Sequence, residues 1–482
     1  MAVNNTKNIS NIKIANDSAI LQKKFDSLME SIGYFEDNPT ICVANSGGAD
    51  STALLLLTKN WTDKNNGKLV SLTINHGLRK EAEKEAKQVV KWCEYHNIES
   101  HIIKWQHGKV LSSIQEQARS ARYELLTKWC KNNSILHLLT AHHNNDQIET
   151  MIFRLLRKSG IEGLSAIPYQ RVENNVRILR PLLSVKKSEL IDFLKNNSQE
   201  WIEDPSNQDD NYSRVLIRKS LNDYNQVNNS EEHIIKSANN IITSFSIFRN
   251  ILENKVASYL TNIVKIYPSG YSTITVEDFL RLEKNIAIKI LTAISQTVSG
   301  SYYPTRSYKI ENIYSELLNE LIKEKNKVRK SLSGLIFEVI KDEIFIYREV
   351  EYIEKPVKIP NNTLIFWDNR FLITLTDSNS LHKTPKIPEL IIRSLSNDGL
   401  KYIENNNRYS LKKTIPARIL CTFPSIWIIN KETSLEELVA TPHIDYTNRS
   451  DIMAEVNINI QFYPTKPLAG NGFFVMNNDY IV

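Results

Sequence analysis

The segment that most constrains the fold is 40–61, TICVANSGGADSTALLLLTKNW. A strongly apolar stretch stops at a small polar turn, and a long apolar run resumes after it. The turn holds Gly47 and Gly48 between Ser46 and the pair Asp50–Ser51. This predicts a strand that turns tightly into a helix. The pattern repeats. Short, apolar, often β-branched runs at 40–44, 69–75, 101–104, 135–140 and 176–179 read as strands. Helical patterns lie between them at 49–61, 80–96, 112–131 and 146–157. In the third, Ile114, Ala118, Ala121, Leu125, Leu126 and Trp129 fall near one face. Alternation over 36–205 predicts an α/β fold with a doubly wound, mostly parallel sheet. Ligands bind such sheets beyond the carboxyl ends of the strands, where the glycine turn sits.

The tract DPSNQDDNY, 204–212, is polar and turn-rich and marks the edge of this domain. Residues 215–330 read as helical, with few glycines and prolines. From about 331 the pattern changes to short β-rich runs, and about 388–482 mixes helices with strands in a smaller α/β region. The expected domains are therefore 20–214, 215–330, 331–387 and 388–482. No stretch approaches the ~18–20 apolar residues of a membrane span, and residues 1–20 show no apolar core of a secretory signal. The four cysteines are far apart and form no C-x-x-C pair, which argues against a disulfide framework, a zinc ribbon or an iron–sulfur cluster. A reducing cytoplasm is the expected compartment. The formal net charge of +6 permits a polyanionic partner such as RNA without demanding one.

The turn suits an anion. The first N–H groups of a helix have no intrahelical partner, and with the helix dipole they attract phosphate. Gly47 and Gly48 let backbone approach without a Cβ, Ala49 opens the helix, and Ser46 and Ser51 add hydroxyls. Asp50 repels phosphate unless a divalent metal bridges the two or it caps the helix. The spacing is neither the P-loop nor the dinucleotide-binding motif. A second constellation, LLTAHHNNDQIETMIFRLLRKSGIEGLSAIP at 138–168, places His142 and His143 at a strand end. Asp146 and Glu149 follow at i and i+3 on a helix, with Arg157 further along. An imidazole and two carboxylates facing a bound phosphate suit Mg²⁺ and proton handling; complementing the helix dipole is the plainer role for the acids.

S-G-G-x-D-S after a first strand resembles the PP-loop signature of ATP pyrophosphatases. H-H-x-x-D-x-x-E-T, L-L-R-x-x-G-x-x-G-L, R-P-L-L at 180–183 and E-D-P-S-N at 203–207 follow in that order. N-H-G-L-R at 75–79, A-R-x-A-R-Y at 118–123 and KKTIPARILCTFPSIWII at 412–429 also fit. This series is similar to the bacterial tRNA(Ile)-lysidine synthetase family, densely over 40–220 and sparsely over 221–400.

The resemblance implies a ligase that uses ATP and Mg²⁺ to adenylate the wobble cytidine of an isoleucine tRNA with a CAU anticodon. L-lysine then displaces AMP to form lysidine. It implies that 20–214 binds ATP and catalyses, that 215–330 and 388–482 contact tRNA, and that 331–387 connects them. Ser46, Gly47, Gly48, Ala49, Asp50 and Ser51 would hold ATP. His143, Asp146 and Glu149 would be catalytic, with Asp50 and Asp146 on the metal. Arg119, Arg122, Arg157, Gly160, Gly163, Arg214 and Arg218 would face the tRNA or support the crevice. Lysine's amine, with a pKa of roughly 10.4, must lose a proton, and His143 is a candidate base by chemistry alone. Where the family commonly has R-N-x-I-R, this chain has Val215 in place of the asparagine. A dimer is compatible with all of this. The alternatives are a PP-loop tRNA-modifying enzyme with another nucleophile, or a catalytically inactive RNA-binding relative.

Overall fold

The computed structural model describes every residue except 1, 78–80, 107–113, 204–215, 222–230, 324–327, 361–362, 378–388, 406–414, 430–435 and 471–482. Arg214 and Val215 lie outside the described residues. The chain forms two compact units, 1–253 and 254–470 among the described residues.

The first unit is built on a six-stranded sheet of order β3-β2-β1-β4-β6-β5. The strands are β1 (Thr40–Ala44), β2 (Lys68–Asn75), β3 (Glu99–Lys104), β4 (His137–Leu139), β5 (Gln170–Glu173) and β6 (Val176–Leu179). All neighbours are parallel except the β5–β6 hairpin at one edge. Val43 and Ile41 of β1 are wholly buried, as are Leu138 and Leu139 of β4, because helices cover both faces of the sheet. One face carries α1 (Ala2–Ile32), α2 (Ala49–Lys64), α3 (Ala82–Tyr95) and α7 (Lys187–Asn196). Its core joins Phe25, Leu54, Leu57, Val89, Leu139 and Leu190. On the other face, α4 (Ile114–Asn132) buries Leu126 and Cys130 against Cys42, Leu72 and Ile178.

The strands at 40–44 and 176–179 coincide with expectation; β5, α1 and α7 carried no clear signal. α5 (Asn144–Leu156) follows β4, and α6 (Ile161–Leu164) turns the chain toward β5. A short helix, α8 (216–221), precedes the long α9 (Glu231–Ile263). In this unit α9 packs Ala238 and Ile242 on Ile148 and Met151 of α5. Order reverses between β1 and β4: the chain runs outward to β3, then returns to the other side of β1. A crevice opens at that reversal, beyond the carboxyl ends of both strands.

Among its described residues, the second unit holds three antiparallel sheets. β7 (Val264–Ile266), β8 (Ser272–Thr275), β9 (Val328–Leu332), β10 (Leu335–Ile340) and β11 (Glu343–Arg348) form one, of order β7-β8-β11-β10-β9. The stretch read as helical is thus helical for most of its length, through α10 (Val276–Arg281), α11 (Lys284–Ser299) and α12 (Ser307–Ile322), but it adds β7 and β8. β12 (Val357–Ile359) joins β15 (Leu390–Ser394), β16 (Pro424–Ile429), β17 (Glu436–Thr441) and β18 (Tyr446–Thr447). β13 (Thr363–Trp367) and β14 (Phe371–Asp377) pair with β19 (Val456–Phe462). Among the described residues, no helix is long and apolar enough to cross a membrane. The four cysteines are free and buried.

Candidate active site

The loop after β1 is fixed by its own side chains. Asn45, almost wholly buried, accepts the Gly47 N–H on Oδ1 at 2.9 Å. Ser51 Oγ accepts the Ser46 N–H at 3.2 Å and donates to the Gly48 carbonyl at 3.0 Å. The two glycines are there for different reasons. Gly47 has φ +81, and a Cβ would stand 2.7 Å from Val89 Cγ2 and 2.8 Å from Ile202 Cδ1. The fold itself requires glycine there. Gly48 has φ −72, open to any residue, and a Cβ would find nothing nearer than Ser46 Oγ at 3.6 Å. Its bare backbone leaves room for something outside the chain.

Gly48 caps α2, and the first intrahelical bond runs from Thr52 N–H to the Gly48 carbonyl at 3.0 Å. The N–H groups of Ala49, Asp50 and Ser51 therefore lack a helical acceptor. Two further helices start at the same place. His143 caps α5, and Lys186 caps α7. Asn145 Oδ1 accepts the Lys187 N–H at 3.3 Å and links the two starts. Three positive helix ends meet at one crevice, a strong setting for an anion.

Asp50 is at the centre. Its Oδ2 lies 3.5 Å from His143 Nε2 and 3.8 Å from Lys187 Nζ. His143 Nε2 is also 3.6 Å from Asp146 Oδ2, which accepts the His143 N–H at 3.0 Å. Burial opposes charge on Asp50, yet His143, Lys187 and Arg218 outweigh it and hold its carboxyl below the ordinary range. Burial likewise opposes charge on His143, but Asp50 and Asp146 overcome it and raise the imidazole. His143 lies between two carboxylates that favour its charged form, and its first role in this geometry is charge pairing. Lys187 joins the cluster without having been singled out: it lies in no recognisable motif, and only the start of α7 beside α5 brings it in.

Glu149, buried on α5, takes a bidentate ion pair from Arg218 of α8, at 2.8 Å and 3.1 Å. Arg218 therefore meets this carboxylate rather than standing free for phosphate. Arg119 and Arg122 of α4 sit over the Tyr123 ring at 5.5 Å and 5.4 Å. The buried Arg180 adds its charge beside the same tyrosine, so that Arg180, Arg122 and Arg119 outweigh burial and lower its hydroxyl. Arg157 closes α5 and stacks over Phe153 at 4.2 Å. It lies eleven residues past Asp146, roughly 16 Å along the helix. Gly163 is structural: a Cβ would stand 2.5 Å from Ser159 Cβ, and its carbonyl accepts from Arg154 at 3.0 Å. A Cβ at Gly160 would meet nothing within 4 Å.

Residues 18–224 match the PP-loop domain family. The tRNA(Ile)-lysidine synthase of Orientia tsutsugamushi is 33% identical over 441 residues, 91% of this chain and 96% of the relative. The chain belongs to the tRNA(Ile)-lysidine synthase family. Its namesake in Wolbachia pipientis wMel is 35% identical over 383 residues, 77% of this chain and 86% of the relative. That of Rickettsia akari is 32% identical over 454 residues, 92% of this chain and 98% of the relative.

The PP-loop domain implies ATP use, and the residues of this family member fit a metal on its phosphates. Asp50 and Asp146 turn oxygens toward one point beside His143. The buried Asp50 Oδ1 has no hydrogen-bond partner among the described residues. Among those residues no group of three His, Cys, Asp or Glu forms a protein-only cage. One or two carboxylates completed by phosphate oxygens is the usual Mg²⁺ arrangement.

Proposed function

We propose that this chain joins L-lysine to the wobble cytidine of isoleucine tRNA with a CAU anticodon, forming lysidine, with ATP converted to AMP and pyrophosphate. The observation that carries this is the meeting of the SGGADS turn and the 142–149 tract, with His143 Nε2 3.5 Å from Asp50, in a chain whose relatives along nearly its whole length are lysidine synthases.

The carbonyl oxygen at cytidine C2 attacks the α-phosphate of ATP, and pyrophosphate leaves. The lysine ε-amine, having given its proton to solvent, then attacks C2, and the C–O bond to AMP breaks. The turn binds the phosphates with the free N–H groups of Ala49, Asp50 and Ser51, the hydroxyls of Ser46 and Ser51, and the open space at Gly48. Lys187 and His143 offset the charge of departing pyrophosphate. Asp50 and Asp146 would hold Mg²⁺, which supplies charge neutralisation at the phosphate oxygens. An anticodon loop presents its base single-stranded, so the target needs little unstacking. The reaction takes place in the cytoplasm, where tRNA and ATP are found together.

Pyrophosphate release that depends on the CAU tRNA tests the reading. Asp50→Ala and Asp146→Ala are each expected to lower it at least a hundredfold. Release that ignores tRNA, or that survives both substitutions, contradicts it.

A further inference from the structure

The second unit exposes an aromatic cluster that this chemistry does not use. Between α11 and α12 the chain reads SYYPTRSYK, 301–309, and no Asp or Glu occurs from 285 to 310. Tyr303 is 70% exposed and Tyr308 54%. A single tyrosine in water is ordinary, whereas adjacent rings held out on a fixed loop ask for a ligand.

The loop is fixed from several directions. Gly300, at φ +68, closes α11; Gln296 Nε2 donates to the Tyr302 carbonyl at 2.9 Å, and Ser301 Oγ donates to the Tyr303 carbonyl at 2.8 Å. Beneath it, the wholly buried Arg370 donates to the carbonyls of Gly270 at 3.2 Å and Val298 at 3.3 Å, and pairs with Asp368 at 2.6 Å. The same turn holds a third segment. Tyr463 N–H donates to the Arg370 carbonyl at 2.7 Å, and Thr465 N–H donates to the Asn369 carbonyl at 3.1 Å. That anchors Lys466 with its Nζ 4.6 Å from the centre of the Tyr302 ring. Tyr303 stands edge-on to Tyr302, with centroids 5.0 Å apart and planes at 80°. Arg306 and Lys309 are exposed on the same loop, and the first turn of α12 contains no acid to offset them.

A rigid ring with its face in water, flanked by cations, matches a base with its phosphates. We propose that Tyr302, Tyr303, Arg306 and Lys466 form a stacking platform for an unpaired nucleotide of the RNA substrate. Tyr303 stacks the base, and Arg306 and Lys466 take the adjoining phosphates. The platform rests on the tRNA substrate proposed above.

Binding of the full-length chain to CAU tRNA, measured over a range of salt, is the test. Tyr303→Ala is expected to raise Kd about 5- to 100-fold at fixed salt, by the worth of one stacked base, without changing the salt dependence. Tyr303→Phe should bind within about twofold of wild type, because the ring is kept. Arg306→Gln should reduce the slope of log K against log salt by about one. ATP binding by all three should be unchanged, and circular dichroism and thermal unfolding matching wild type report that the second unit is folded in the variants. Tyr303→Ala binding tRNA within twofold of wild type overturns the platform while leaving the tRNA reading intact. Wild-type chain that binds no CAU tRNA at all overturns both.

Discussion

Gly47 and Gly48 look alike in the sequence and do different work. At Gly47 the left-handed backbone and the close approach of Val89 and Ile202 forbid a side chain. Gly47→Ala is expected to destabilise the first unit by about 1–3 kcal/mol. Gly48→Ala meets no obstacle in the protein, so thermal unfolding should be nearly that of wild type, while the Kd for ATP rises at least tenfold. Equal Tm losses in the two variants would contradict this division. His143 adds a pH dependence. Its folded pKa is raised above the ordinary 6.5, so the stability it contributes is full below about pH 6.5 and is lost as pH rises through the raised value. Asp50 is lowered from 3.8, so its share persists until pH falls through that lowered value. Without Mg²⁺, the Tm difference between wild type and His143→Gln should therefore be larger at about pH 6 than at about pH 9. A difference independent of pH would mean that the imidazole is not held as a cation.

At the scale of elements, α5 organises the site. Its first turn presents His143 and Asp146 to the phosphate loop, and one turn later Glu149 holds α8 through Arg218. Arg218→Ala leaves a buried carboxylate without its partner. With water able to reach the half-exposed arginine position, the cost should be about 1–3 kcal/mol in chemical denaturation. Adding Glu149→Gln should recover part of that loss, and a second loss that simply adds would show that the two side chains do not act together. The strands of the first sheet other than β5, and the crevice, were legible in the sequence because each apolar run ends at a polar turn; β1 and its turn were read as they stand. Lys187 was not, since its place depends on where α7 starts in space. The Glu149–Arg218 pair was missed for the same reason: a separation of 69 positions has no periodicity to betray it. β7 and β8 are three and four residues long, too short to interrupt a helical pattern, and exist because β8 pairs with β11 and β7 in turn with β8.

Across the whole molecule, two kinds of architecture share one chain. The first unit is a mostly parallel sheet with a crevice at its reversal point, and the described sheets of the second are antiparallel throughout. In the second, residues on both sides of 388 share ladders: β12 pairs with β15, and β14 with β19. A deletion beginning at 388 would strip partners from strands that remain, so roles within this unit are better probed by surface substitutions. The central claim is the identity of the nucleophile, and it is tested by incubating purified protein with ATP, Mg²⁺, labelled L-lysine and CAU isoleucine tRNA. One label per tRNA, with one pyrophosphate released for each lysine joined, is the predicted result. No label in the tRNA, while a known lysidine synthase modifies the same preparation, would contradict the account.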